Sequence, residues 1–137
     1  MPLYIDEDNW PIAKLIYKGV NGPDEMHSSI RFYQRMFVRN QRFCVIVDTR
    51  ESQQPALSEM RVFSAFTKKH HDDFKTFCGG VAFILSGGVL IRMALRAMMQ
   101  IAAPPFPQHT CTEMAEAEQW CRSQLQAQTD TYRSPPP

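Results

Sequence analysis

The chain has 137 residues, enough for one domain that buries roughly 70% of the surface its unfolded form exposes. A hydrophobic fraction of 44% excludes wholesale disorder and fibrous or collagen-like repeats. Fifteen basic side chains against fourteen acidic ones leave a formal net charge of +1, so no global field draws in nucleic acid, anionic membrane or acidic substrate.

Residues 3–5 predict a short strand, and Asp6 to Asn9 form a turn cluster ahead of Trp10. Residues 12–20 alternate well enough for a second strand, closing in Asn21-Gly22-Pro23. Pro23 with Asp24 and Glu25 has the chemistry of a first helical turn, where proline sacrifices no needed donor and acids meet the positive dipole end. Met26, Ile30, Tyr33, Met36 and Phe37 then recur at helical spacing, predicting a helix over 23–40.

Five successive apolar residues over 43–47 predict a strand buried on both faces, central and parallel. After a polar loop carrying Pro55, Ser58 is placed to cap a helix running through Phe74. Residues 81–85 repeat the buried-strand pattern, Ser86-Gly87-Gly88 turns, and 89–101 reads as a further helix. The run Pro104-Pro105-Phe106-Pro107 stops it, 108–111 predicts a short edge strand, and Thr112 caps a last helix. Residues 129–137, ending in three prolines, predict a disordered tail after a domain over 1–128. The order ββαβαβαβα implies an α/β domain with an open, mixed and mostly parallel sheet covered by helices.

Residues 1–8 carry neither the basic nor the apolar region of a secretory signal, and the chain reads as cytoplasmic. Cys44, Cys78, Cys111 and Cys121 include no Cys-x-x-Cys pair and read as reduced thiols used as small apolar residues. The apolar stretch 79–103 has the length of a bilayer span. Its glycines, Ser86, Arg92, Arg96 and Gln100 fit a strand, a turn and a helix better than a transmembrane segment.

With this order in hand, the chain resembles the STAS-like domains, especially the SpoIIAA-like branch similar to the bacterial anti-sigma-factor antagonist. Phe43-Cys-Val-Ile-Val-Asp-Thr-Arg resembles the family's central strand ending in an acid. Gly80-Val-Ala-Phe-Ile-Leu with the following helix resembles the next βα unit, and Phe106 through Ala117 to Trp120 resembles the closing strand and helix. The resemblance spans about 3–127 and implies a non-catalytic protein-interaction or regulatory module. Phosphorylatable members carry Asp-Ser-Ser-Gly after the central strand; here the region reads Gln53-Gln-Pro-Ala-Leu-Ser58-Glu59. Ser58 is the one residue onto which the phosphoacceptor role carries over, and its alternative role is that of a helix cap alone.

Catalytic and metal chemistry are not signalled. His70 and Asp73 share a helical face at three-residue spacing, but two ligands do not make a metal site. Leu85-Ser86-Gly87-Gly88 is neither a nucleophile elbow nor a phosphate loop. Ser86, Gly87 and Gly88 form a glycine-rich turn able to rest a small anion at a helix start, or simply a βα turn. No cofactor is implied, and the chain reads as a non-enzyme.

Two helical faces suggest binding. Arg31, Arg35 and Arg39 form a basic ridge, either a solvated face or a dock for an acidic partner; without interleaved aromatics, nucleic acid is not implied. The helix over 89–101 is apolar around nearly its whole circumference, more than a helix on a sheet needs. Met93, Met98 and Met99, with Arg96 at the rim, suit core burial, a homodimer or partner seam, or a pocket for a hydrophobic, lipid-like small molecule. The reading is a protein-binding module that forms a homodimer, with a carrier or sensor of such a molecule as the alternative.

Overall fold

Strand pleating sends successive side chains to opposite faces, so a strand that is apolar at every position needs cover on both sides. The run Phe43–Val47 meets that demand at the centre of a five-stranded sheet of order β1-β2-β3-β4-β5. The computed structural model describes residues 3–20, 22–52, 57–86 and 104–133. Its strands are β1 (Leu3–Asp6), β2 (Ile12–Gly19), β3 (Phe43–Ser52), β4 (Cys78–Ile84) and β5 (Gln108–Cys111). The first pair is antiparallel and the other three are parallel, giving the mixed, mostly parallel α/β sheet that the element order implies.

The described helices are α1 (Pro23–Phe37), α2 (Leu57–Lys69), α3 (His71–Phe77) and α4 (Met114–Arg133). The crossovers from β2 to β3 and from β3 to β4 place α1, α2 and α3 on one face. There Phe32, Tyr33, Met36, Phe66 and Phe74 pack on Ala13, Leu15, Phe43, Val45 and Val81. Phe74, fully buried, centres this layer, its ring 5.0–5.6 Å from those of Phe37, Tyr33, Phe106 and Phe66. Each such ring pair adds roughly 0.5–1.5 kcal/mol beyond the area it buries. On the opposite face α4 lays Ala117 and Cys121 on Ile12, Cys44, Ile46, Ala82 and Ile84.

Several boundaries differ from the sequence expectation for identifiable reasons. Helix α1 ends at Phe37 rather than 40, because Asn40 turns into the left-handed region at φ 53°. β3 continues five residues beyond Val47 into polar sequence, and β4 starts at Cys78. The expected single helix over 58–74 is two, broken at His70. The break turns Phe74 under α1, while His70 stays against Phe66 with ring centroids 4.7 Å apart. Residues 129–133, expected in a disordered tail, continue helix α4. The expected helix over 89–101 lies outside the described residues.

Candidate functional site

The carboxyl ends of the parallel strands form a polar rim. The pairing places Asp48 opposite Ile16 on one side and Ile84 on the other, level with the ends of β4 and β5. β2 advances two residues from Ile16 to Lys18 while β3 advances three from Asp48 to Glu51, so β3 bulges here. Such a bulge re-aims side chains and bends the strand end.

Asp48 and Arg50, two residues apart, meet on this rim. Arg50 donates through Nε to Asp48 Oδ1 at 3.0 Å and through a terminal nitrogen to Oδ2 at 2.9 Å. The backbone N–H of Arg50 adds a third bond to Oδ1 at 3.1 Å. This is the bidentate fork geometry, stronger than a single neutral hydrogen bond. Asp48 is 7% exposed. Burial alone would raise its carboxyl; the Arg50 bonds and charge, with help from Lys18, outweigh it and hold Asp48 below the usual carboxylate range.

Side chains from neighbouring strands tie the rim together. Thr49 donates to the carbonyl of Ile84 at 2.9 Å, and Ser86 donates to the carbonyl of Arg50 at 2.9 Å. These bonds clamp the protruding end of β3 to the end of β4. Lys18 and Glu51 add an exposed ion pair at 3.6 Å, too solvated to contribute much energy.

The expected site residues fall in different places. Ser86 joins the rim, its hydroxyl donated to Arg50; Gly87, Gly88, Met93, Arg96, Met98 and Met99 lie outside the described residues. Helix α2 begins at Leu57, which puts Ser58 inside the first turn and corrects its assignment as the residue ahead of the helix. Arg31 and Arg35 lie on the exposed side of α1, whereas Arg39 falls in the turn after the helix ends at Phe37, which corrects the three-arginine helical ridge. Arg39 pairs with Glu7 and stacks over the Trp10 ring at 4.3 Å, so it holds the turn after β1 to the end of α1. Arg31 donates to Ser28 at 3.2 Å. The Asp48–Arg50 pair was missed by sequence reasoning, which ended the strand at Val47. Opposite charges two residues apart directly after a buried strand were the available signal.

Around helix α4 a second polar set fastens the helix to the sheet. Lys14 of β2 reaches Glu118 at 3.1 Å, and His109 of β5 stacks on Trp120 with ring centroids 5.3 Å apart. His70 and Asp73 approach to 3.3 Å as their spacing implies. Among the described residues, no three His, Cys, Asp or Glu side chains converge into a metal-binding group. No helix among them is long and apolar enough to cross a membrane.

This architecture defines a class of fold, a mixed five-stranded sheet with three described helices on one face and a closing helix on the other. The fold is SpoIIAA-like. A solved protein of the DUF3478 family with a SpoIIAA-like fold, from Shewanella loihica PV-4, is similar to this chain at TM-score 0.64 and 16% identity, over 87% of this chain and 91% of that one. An anti-sigma factor antagonist from Mycobacterium paratuberculosis is similar at TM-score 0.55 and 11% identity, over 88% and 92%. No protein-family sequence model and no curated protein sequence matches the chain.

Proposed function

We propose that the chain is a non-catalytic regulatory module of a bacterial cytoplasm that docks a protein partner on the carboxyl rim of its sheet. The observation that carries this reading is the clamped rim. Asp48 is held by Arg50, and Thr49 and Ser86 lock that strand end to β4. Paired charges on a braced strand end offer a partner fixed shape and a fixed field, whereas a general base or nucleophile needs an unengaged reactive group. Similarity to a structure named an anti-sigma factor antagonist supports the same reading, since that name describes action on another protein.

Ser58, in the first turn of α2, is the candidate phosphoacceptor of this surface. A phosphate there meets the positive end of the helix dipole and changes the charge of the rim without melting the helix. Arg31 and Arg35 supply a second, basic contact face on α1. A homodimer is part of the same proposal, and the apolar sequence over 89–101, with Met93, Arg96, Met98 and Met99, is its candidate contact.

Affinity capture with the wild-type chain, Arg50→Glu, Ser58→Asp and Arg35→Glu tests the proposal. The captured partner's affinity is expected to fall at least about tenfold for Arg50→Glu, equivalent to ~1.4 kcal/mol, with an unchanged circular dichroism spectrum. Ser58→Asp changes the same affinity. Equal affinity for every rim variant overturns the docking surface. A small apolar molecule retained in native mass spectrometry favours the carrier alternative. Sedimentation of the full chain as a monomer at micromolar concentration removes the homodimer.

A further inference from the structure

Two of the four cysteines are brought together by the tertiary fold alone. Cys44 lies on the α4-facing side of β3, and Cys121 lies on the sheet-facing side of α4. Their sulfurs are 2.8 Å apart, and both residues are fully buried. A disulfide needs a separation of about 2.05 Å, so the pair must close by about 0.75 Å. Cys78 packs in the core under α1–α3 with its sulfur 3.6 Å from the Gly80 carbonyl oxygen, which the Cys44 sulfur meets at 3.1 Å, and Cys111 lies 3.6 Å from the carbonyl oxygen of Glu113.

We propose that Cys44 and Cys121 form a latent disulfide, an oxidative modification site that staples α4 to the central strand. The oxidant is a hydroperoxide. One thiol loses its proton, and its sulfur attacks the peroxide, breaking the O–O bond to give a sulfenic acid and an alcohol, or water from hydrogen peroxide. The second sulfur, also deprotonated, attacks the first; the S–S bond forms and hydroxide leaves, taking up a proton as water. Two thiols and one hydroperoxide thus yield one disulfide, one alcohol and one water, with two electrons passing to the peroxide.

Burial sets the timing of this reaction. The thiolate is the attacking species, and Cys44's bond to Cys121 and its burial both push its thiol far up. The closed structure therefore reacts slowly, and oxidation proceeds when α4 lifts from the sheet and readmits solvent. Reclosure then aligns the sulfurs, and the bond makes the next opening impossible without a reductant. The fasteners that oppose lifting are Lys14–Glu118 and the packing of Trp120 on Gly80.

The experiment treats the full native chain with hydrogen peroxide, traps remaining thiols with an alkylating agent, and maps the peptides by mass spectrometry. The expected product is a Cys44–Cys121 linked peptide about 2 Da lighter than its reduced parts, reversed by a dithiol. Its formation raises the thermal midpoint and is abolished in Cys44→Ser and in Cys121→Ala. Lys14→Met, which loosens α4 without touching either sulfur, speeds it. Recovery of both cysteines fully alkylated after prolonged oxidation overturns the proposal, as does linkage of Cys44 to Cys78 or Cys111.

Discussion

Gly80 sits in β4 beneath the indole of Trp120, and replacing it with alanine tests the contact that seats α4. A Cβ at Gly80 would lie 2.6 Å from Trp120 Cη2, 2.9 Å from Cζ3 and 3.3 Å from the carbonyl oxygen of Pro107. Carbon atoms prefer about 3.5–4.0 Å, so the ring must retreat by about 1 Å. It has little freedom to do so, since His109 stacks on it at 14° between planes and Cys121, the next residue, is fully buried. Overpacking of this kind costs about 1–3 kcal/mol. The φ of +158° at Gly80 adds strain of roughly 1 kcal/mol for a residue with a side chain. Gly80→Ala is therefore expected to lose about 2–4 kcal/mol in urea unfolding followed by circular dichroism. Trp120→Phe removes the two atoms that clash, and in that background the cost of Gly80→Ala should shrink by at least about 1 kcal/mol. A loss under about 0.5 kcal/mol, or the same loss in both backgrounds, would refute the reasoning.

Asp48 titrates below the ordinary carboxylate range, so its pairing stabilises the fold above about pH 3.9 and is lost as pH falls through the lower folded value. Arg50→Ala leaves only the backbone N–H at that position and Lys18 to oppose burial and should move acid unfolding, followed by circular dichroism, to higher pH; superimposable acid curves would contradict this. Arg39→Ala should cost about 1 kcal/mol in urea unfolding through loss of the Trp10 and Glu7 contacts, against less than about 0.5 for Arg35→Ala. Equal effects would return Arg39 to the solvated ridge. Phe74→Ala empties the centre of the aromatic layer and should cost about 3–5 kcal/mol by the same measurement, while Val38→Ala, at an 80% exposed residue, should be near neutral. A loss below about 2 kcal/mol for Phe74→Ala would show that the rings around it collapse to fill the space.

The proposed staple and the proposed rim sit at different parts of the molecule, and their failures are separable. Oxidation is read at two sulfurs beneath α4, and partner binding is read through Arg50 and Ser58. A chain that binds its partner through the rim but never links Cys44 to Cys121 keeps the docking function and loses the redox one.

Local pattern determined a large part of this protein. The unbroken apolar run Phe43–Val47 announces a strand covered on both faces, and Pro23-Asp24-Glu25 announces where α1 begins, because burial of consecutive side chains and satisfaction of first-turn amides are problems solved within a few residues. The resemblance to SpoIIAA-like domains rested on the same strands, and the fold bears it out. Where local pattern stopped, it did so at polar or glycine-containing strand ends. Asp48 to Ser52 is too polar to read as sheet, and Gly79-Gly80 lie ahead of the strand read over 81–85, yet both are strand because neighbours supply the backbone partners and Trp120 needs the space over Gly80. Tertiary structure alone decided that Ser86 reaches Arg50, that Arg39 leaves the basic ridge for Trp10, and that Cys44 meets Cys121 across a separation of 77 positions. These contacts join elements whose relative placement depends on the whole packed core, and no short-range periodicity encodes the distance between side chains on different elements.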